Sequence, residues 1–103
     1  MADPGTSARI FAVLSAEVRV RIIDLLKRRP LCVSALAGIL KITPAAVSQH
    51  LRILRQAGIV TPVKRGYFVH YGVNGATLAK WRKETEGLLT VPPGADGEGE
   101  GGP

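Results

Sequence analysis

Hydrophobic residues return every three or four positions along the first half of the chain, which is the spacing of helices that bury one face. Two such stretches precede Pro30, with Ile10, Phe11, Val13 and Leu14 in the first and Val18, Ile22, Leu25 and Leu26 in the second. We expect Thr6 or Ser7 to cap the first helix. The second helix is expected from Ala16 to Arg29, with Ser15 as its cap and Pro30 as its stop.

A short third helix and a longer fourth helix follow, joined by three residues. The third is expected from Val33 to Leu40, where apolar residues keep the helical spacing. Lys41 to Thr43 form the connection, and a threonine before Pro44 is a strong start signal for the fourth helix. Gly58 ends that helix after Ala57. Two helices joined so closely are typical of a helix-turn-helix.

Residues that favour β-structure then replace the helical spacing. Ile59 to Val63 and Tyr67 to Val73 are expected to form a hairpin that turns at Lys64-Arg65-Gly66, because glycine accepts a positive φ. Asn74 is expected to cap a last helix, from Ala76 to about Thr90. The expected fold is mainly α, with five helices and a β-hairpin wing, which is a winged helix-turn-helix.

The composition fits one small globular domain, with 103 residues, 46% hydrophobic and 21% charged. We expect a disordered lead at residues 1–5, one domain at residues 6–90, and a disordered tail rich in glycine and acids at residues 91–103. No apolar run reaches the length of a membrane span, and the first residues lack a signal-peptide pattern. A cytoplasmic protein is therefore expected, and the single cysteine, Cys32, agrees with a reducing compartment.

Charge is placed unevenly along the chain. The formal net charge is +6, and every charged residue from Leu25 to Lys83 is a lysine or an arginine, whereas Asp96, Glu98 and Glu100 lie in the tail. Such a domain attracts polyanions, of which nucleic acid is the commonest, although acidic membranes would be attracted as well. Because the basic residues are scattered and do not form one amphipathic helix, double-stranded DNA is the preferred partner and a membrane is not expected.

The fourth helix and the hairpin carry the expected DNA contacts. Small residues let the helix backbone approach the bases, Ser48 and Gln49 can hydrogen-bond base edges, and Arg52 can reach a phosphate or a guanine. Lys64 and Arg65 are expected to contact the phosphate backbone. The full set is Thr43, Ala45, Ala46, Ser48, Gln49, Arg52, Lys64, Arg65 and Tyr67. The plainer alternatives are a solvated amphipathic helix and an ordinary soluble turn.

At these positions the sequence resembles the ArsR/SmtB family of bacterial winged helix-turn-helix repressors, over roughly residues 8–81. The resemblance lies in Leu14-Ser15-Ala16-Glu17-Val18-Arg19, in Ser48-Gln49-His50-Leu51-Arg52 with Gln56-Ala57-Gly58-Ile59-Val60, and in Arg65-Gly66-Tyr67 through His70-Tyr71. It implies a homodimer joined by the first and last helices, which represses from an imperfect palindrome and leaves DNA when an effector binds.

The residues themselves also favour a homodimer. The first and last helices carry more apolar residues than a domain of this size readily buries alone. The expected dimer contacts are Ile10, Phe11, Leu14, Leu78, Trp81 and Leu88. Two recognition helices related by symmetry would read half-sites about 34 Å apart.

An effector site is only partly supported by the sequence. Arsenic-sensing relatives carry two cysteines in Glu-Leu-Cys-Val-Cys-Asp-Leu, and here the matching run keeps only Cys32. The family's zinc-type site needs histidines on the last helix, which has none, so no metal site and no cofactor are expected. Cys32 stays a candidate for a thiol or effector signal beside a plain packing role, and a regulator without a sensor is a further alternative. We expect His50 to be a structural histidine and His70 a strand surface residue.

An enzyme is not expected, and neither is a small-molecule substrate. The chain has no glycine-rich phosphate loop, no paired carboxylates in the body of the domain, and no Ser, His and Asp arrangement. The competing interpretation is a winged-helix module that contacts protein or binds nucleic acid without sequence preference, because the fold alone does not determine function.

Overall fold

Helices dominate the computed structural model, which describes residues 3–95 and 97. In chain order the elements are α1 (Pro4–Leu14), α2 (Glu17–Leu26), β1 (Leu31–Cys32), α3 (Val33–Leu40), α4 (Pro44–Gln56), β2 (Val60–Arg65), β3 (Phe68–Val73) and α5 (Gly75–Leu89). The strands form one sheet in the order β1-β3-β2. The expected mainly α fold with a hairpin wing is confirmed.

Helix α1 begins earlier than expected, at Pro4. Asp3 is its N-cap, and the Oδ2 atom of Asp3 accepts a hydrogen bond from the backbone N–H of Thr6 at 3.1 Å. An aspartate followed by a proline is a strong helix start, so the expected caps Thr6 and Ser7 are wrong. Residues 1–2 of the expected disordered lead lie outside the described residues, and its last two residues belong to α1.

The junction between α1 and α2 also differs from the expectation. Ser15 closes α1, because its hydroxyl donates to the carbonyl oxygen of Ala12 at 2.8 Å. Ala16 precedes α2 in an extended conformation and gives no side-chain cap. The turn that continues to Arg29 is not helical, since α2 ends at Leu26. The expected Ser15 cap and the expected helix end at Arg29 are therefore wrong.

A two-residue strand that the sequence pattern did not predict follows Pro30. Leu31 pairs with Tyr71 and Cys32 pairs with His70 in antiparallel register. Two residues are too few to show a periodicity, and this strand exists because β3 lies beside it. It ties the start of α3 to the wing.

The helix-turn-helix forms as expected. The three residues between α3 and α4 include Lys41, which adopts the left-handed conformation at a φ of 57°. Thr43 caps α4, and its hydroxyl oxygen accepts from the backbone N–H of Ala46 at 3.1 Å. Gly58 follows the helix at a φ of 77°, which ends it cleanly. Local signals at these positions therefore fix the recognition helix at both ends.

The wing is a hairpin with an unbroken register, from Val60 opposite Val73 to Arg65 opposite Phe68. Its turn consists of Gly66, at a φ of 63°, and Tyr67. Lys64 and Arg65 therefore lie in β2, and the expected turn at residues 64–66 is wrong by one to two residues. The two-residue turn puts the end of the hairpin at Gly66 and Tyr67.

Asn74 caps α5, as expected, by accepting hydrogen bonds from the backbone N–H groups of Ala76 and Thr77. The chain after α5 carries a single turn near Gly94 in the part that the structure describes. Most of the expected disordered tail, residues 96 and 98–103, lies outside the described residues. In the described part of the chain, no helix combines the length and the apolar character needed to cross a membrane.

The core lies between α2, α3, α4 and the base of the wing. Its fully buried side chains are Ile22, Leu36, Val47, Leu54, Ile59 and Val60. Partly buried Tyr71, Leu78 and Trp81 pack against this cluster. Because the core draws on only one side of α4 and on the base of the hairpin, the other side of α4 and the outer half of the wing stay free.

Candidate nucleic-acid interface

The outward side of α4 is exposed and carries the expected base-reading residues. Ser48, Gln49 and Arg52 are exposed, while Ala46 is half-buried. Thr43 and Ala45, at the start of the helix, are exposed as well. The opposite side holds fully buried Val47 and Leu54. The buried side thus fixes the helix in the core, and the exposed side presents small and hydrogen-bonding side chains, as contact with base edges in a DNA groove requires.

A small cleft joins α4 to the wing. It has a volume of about 140 Å³ and is lined by Ser48, Leu51, Arg52, Arg55 and Tyr71. Arg55 is exposed and was not among the expected contacts, although it follows Arg52 by three residues and so shares its side of the helix. That spacing was the signal that could have identified it. Two guanidinium groups therefore lie one helical turn apart where the recognition helix meets the wing.

The wing presents both of its expected cations to solvent. Lys64 and Arg65 are exposed, and they lie on opposite sides of the sheet because successive strand residues alternate. Lys64, opposite Val69 in the register, shares its side with core-packed Tyr71, which borders the cleft beside α4. Lys64 is thus on the side of the wing that borders the recognition helix, and Arg65 is on the other side.

The end of the wing is apolar as well as basic. Tyr67 is 99% exposed, Phe68 is 67% exposed and Val69 is 45% exposed. Tyr67 was an expected DNA contact, whereas Phe68 and Val69 were read only as strand residues. Their position next to the turn could have shown that they lie beyond the part of the hairpin that the core covers.

A hydrogen-bonded arginine connects three helices behind the recognition face. Arg19 of α2 donates from Nε to the carbonyl oxygen of Val13 at 2.6 Å and from Nη2 to that of Ala12 at 3.2 Å. Its Nη1 lies 3.3 Å from Nδ1 of His50 on α4. Since arginine only donates, Nδ1 is the acceptor and the neutral ring carries its proton on Nε2. The expectation that His50 is a structural histidine is confirmed.

The expected dimer residues differ in how much they expose. Ile10 is 3% exposed and belongs to the interior of the single chain. Leu14, Leu78 and Trp81 are half-buried against the core. Phe11 is 40% exposed and Leu88 is 59% exposed. Leu89 and Val91, which the sequence reasoning missed, are 71% and 61% exposed. An apolar surface therefore remains on α1 and along the end of α5.

A cavity of about 490 Å³ lies where α1, α5 and the end of α4 meet. Its lining consists of Thr6, Arg9, Ile10, Ala12, Val13, Gln56, Ala57 and Trp81. The two helices expected to form the dimer thus meet the last turn of the recognition helix.

Cys32 and His70 lie opposite each other across the β1–β3 pair. Cys32 is a free thiol and half-buried. His70 is half-buried, and its buried Nδ1 atom has no hydrogen-bond partner among the residues that the structure describes, so the expectation of a strand surface residue is wrong. Across residues 3–95 and 97, no group of three or more His, Cys, Asp or Glu side chains is placed to hold a metal ion.

Comparison with known proteins identifies the family. The sequence model of bacterial regulatory proteins of the arsR family matches residues 16–61. The transcriptional repressor SdpR of Bacillus subtilis is 32% identical over 69 residues, which cover 67% of this chain and 77% of SdpR. A cadmium resistance regulatory protein, a CadC homolog of Staphylococcus aureus, is 36% identical over 70% of this chain, which spans 60% of that relative.

Solved structures agree with this assignment. An ArsR-like transcriptional regulator from Rhodococcus sp. RHA1 superposes with a TM-score of 0.72 at 35% identity, covering 80% of this chain and 77% of the other. The homodimeric winged helix-turn-helix DNA-binding domain of a Mycobacterium bovis protein superposes with a TM-score of 0.65 at 25% identity, covering 79% and 75%. With the winged helix-turn-helix described above, these likenesses show that the chain belongs to the ArsR family of bacterial regulatory proteins.

Proposed function

We propose that this protein is a transcriptional repressor that binds double-stranded DNA in a sequence-specific way, as a homodimer on a palindromic operator. The observation that carries the proposal is the exposed, basic and hydrogen-bonding side of α4 next to a basic wing. Every charged residue from Leu25 to Lys83 is positive, so both elements attract the phosphate backbone. In this role the protein acts in the cytoplasm and catalyses no reaction.

In this proposal α4 lies in the major groove. Ser48 and Gln49 hydrogen-bond base edges, and the small side chains of Ala45 and Ala46 let the backbone come close to the bases. Thr43 lies at the exposed N-terminus of the helix, where the positive end of the helix dipole favours a phosphate. Arg52, with Arg55 one turn further on, contacts a guanine or the phosphates at the groove edge.

The wing holds the protein in register on the duplex. Lys64 and Arg65 are exposed on opposite sides of β2, so together they can follow a phosphate backbone that passes the hairpin. Tyr67 lies at the turn, where it reaches furthest from the core. Such contacts supply affinity that depends on salt and carries little sequence information.

The homodimer is formed by α1 and α5. Phe11 and Leu88 supply exposed apolar surface to a partner, and half-buried Leu14, Leu78 and Trp81 border it. Ile10 supports this surface from inside the protomer. A related domain from Mycobacterium bovis is described as homodimeric. A two-fold axis here presents two recognition helices to half-sites about 34 Å apart.

Release by an effector completes the proposal, with Cys32 as the residue that a thiophilic ion or an oxidant would reach. Its position beside His70 in the sheet supports this role, because a change at this pair acts directly on β3 of the wing. Titrating the DNA complex with metal ions, with oxidant and with reductant tests it. Release by one of them that is lost in Cys32→Ser assigns the signal, and unchanged binding under all of them removes Cys32 from the function.

Enrichment of duplexes from a random pool, followed by binding titrations over a range of salt concentrations, tests the whole proposal. We expect a palindromic sequence to be enriched. Gln49→Ala is expected to lose discrimination between matched and mismatched duplexes by about 1–3 kcal/mol. Lys64→Ala is expected to weaken binding to all duplexes and to reduce the salt slope by about 1, whereas Lys83→Ala, on α5, serves as the charge-matched control.

Enrichment of no sequence would contradict the proposal and favour a module for protein contact or for non-specific binding of nucleic acid. Uniform weakening by Gln49→Ala across all duplexes would leave DNA binding intact but remove the assignment of base contacts to α4.

A further inference from the structure

The apolar end of the wing is larger than a turn requires. Tyr67, Phe68 and Val69 are consecutive and are 99%, 67% and 45% exposed. Three exposed apolar residues in sequence are unusual unless they serve a function. Neither side of the hairpin is covered at this point by another element of the described chain, because the core reaches only to Tyr71 and Val73 on β3.

These side chains lie far from the core of the domain. Arg65 lies five positions after core-packed Val60 along β2, so the turn extends roughly 17 Å beyond the base of the wing. Tyr67 lies in the turn itself, and Phe68 and Val69 point to opposite sides of the sheet. The end of the hairpin is therefore a narrow wedge with aromatic side chains at its edge.

The charge around the wedge identifies its partner. Lys64 and Arg65 lie on the strand opposite the apolar residues, where Arg65 pairs with Phe68 and Lys64 pairs with Val69 in the register. An apolar wedge with one cation on each side of its sheet suits a polyanion that also offers flat apolar surfaces. Double-stranded DNA has both, since its phosphates border stacked bases that unstack when an apolar side chain enters the minor groove. A hydrophobic protein partner would not require the cations.

We propose that the wing inserts Phe68, supported by Tyr67, between base pairs of the minor groove beside each half-site, and that this insertion bends the operator. The inference rests on the proposed function and adds to it a mode of sequence preference that needs no base hydrogen bonds. Steps of pyrimidine followed by purine unstack most easily, so such a step is favoured under each wing. Two wings on a dimer give two bends, each in the range of about 20–90° seen for apolar wedges.

Two measurements on the full chain test the inference, with the duplex enriched from a random pool as the probe. Gel mobility of circularly permuted fragments reports bending, and 2-aminopurine placed at successive adenines beside the half-sites reports unstacking. The variants are Phe68→Ala and Tyr67→Ala, and the matched control is Val20→Ala, since Val20 is an apolar residue that is 41% exposed on α2 and is not part of the wing.

We expect Phe68→Ala to weaken binding on the order of 10-fold, to abolish the bend and to remove the rise in 2-aminopurine fluorescence. The salt slope of Phe68→Ala is expected to stay unchanged, because no phosphate contact is lost. Tyr67→Ala is expected to reduce the bend and the fluorescence rise by less, and Val20→Ala to change neither. Phe68→Leu, which keeps an apolar wedge, is expected to restore most of the bend.

Specific binding to a straight duplex, with no fluorescence change at any position, would overturn the inference and leave the proposed function standing. A Phe68→Ala variant that bends the duplex as much as the wild-type protein would overturn the inference as well. The wild-type protein could also bind vesicles of phosphatidylcholine and phosphatidylserine. Loss of that binding in Phe68→Ala, without any effect on DNA binding, would assign the wedge to a membrane surface instead. If no duplex is enriched at all, the proposed function fails first.

Discussion

Replacing Arg19 by methionine removes one guanidinium group that joins three helices. The guanidinium donates to the carbonyl oxygens of Val13 and Ala12 at the end of α1 and lies 3.3 Å from Nδ1 of His50 on the recognition helix. Methionine keeps much of the aliphatic stem and so limits the loss of packing. The substitution therefore isolates the hydrogen bonds.

The magnitude follows from the setting of those three contacts. A hydrogen bond to a charged group contributes about 1.5–3 kcal/mol, and the contacts here are only partly buried, so water recovers part of the loss at both carbonyl oxygens. The contacts also share one donor group and do not add independently. We expect Arg19→Met to reduce the free energy of unfolding by about 2 kcal/mol, which lowers Tm by roughly 10 °C in a domain of this size.

Urea unfolding at one fixed protein concentration measures this change, since a dimer unfolds at a midpoint that depends on concentration. Arg21→Met is the matched control, because Arg21 is exposed on the same helix and its loss is expected to change stability by less than about 0.5 kcal/mol. Combining Arg19→Met with His50→Ala in a double-mutant cycle is expected to show a coupling of about 1 kcal/mol.

Equal changes in the unfolding free energy for Arg19→Met and Arg21→Met would contradict the stabilising role of the Arg19 hydrogen bonds. A double variant that loses the sum of the two single effects would contradict the link to α4 alone. The first result would mean that the end of α1 is held by packing, and the second that His50 and Arg19 are neighbours without a shared hydrogen bond.

Three further predictions concern the turn, the helix caps and the dimer. Gly38→Ala is expected to raise the unfolding free energy by about 0.5–1 kcal/mol, because a Cβ at exposed Gly38 meets no described atom within 4 Å. Lys41→Gly is expected to raise it by a similar amount, because Lys41 has a φ of 57°. Gly66→Ala, at a φ of 63°, is expected to lower the unfolding free energy. Thr43→Ala removes the α4 cap and is expected to cost about 1 kcal/mol in the same assay, and an unchanged midpoint would refute that role. Leu88→Asp is expected to weaken dimerisation roughly 30-fold in analytical ultracentrifugation, whereas Ile39→Asp, at a similarly exposed apolar position on α3, is expected to have no effect; equal effects would move the interface away from α5.

Local signals allowed much of the fold to be predicted. Thr43 with Pro44, Gly58 and Asn74 mark helix ends through groups on neighbouring residues, and the structure shows each in its expected role. Such features depend on a few consecutive residues, so the sequence alone is sufficient to place them.

Features that depend on distant residues were missed. The strand at Leu31 and Cys32 forms only because β3, about forty positions later, pairs with it. The burial of Ile10 requires α5 to pack on α1, and no spacing within α1 shows that it faces its own protomer and not a partner. The approach of Arg19 to His50 likewise needs two helices to meet. Periodicity shows which side of a helix is apolar, and tertiary packing decides what covers it.

In the proposed complex, α4 of each protomer reads one half-site of a palindrome. A photo-cross-linking amino acid at position 49, in the major-groove side of α4, tests it directly on the enriched duplex, with the same amino acid at position 39 on α3 as the control. We expect cross-links from position 49 to bases in two symmetric clusters about one helical turn, ~34 Å, apart, and none from position 39. Cross-links from position 39 but not from position 49, or a single cluster, would contradict it.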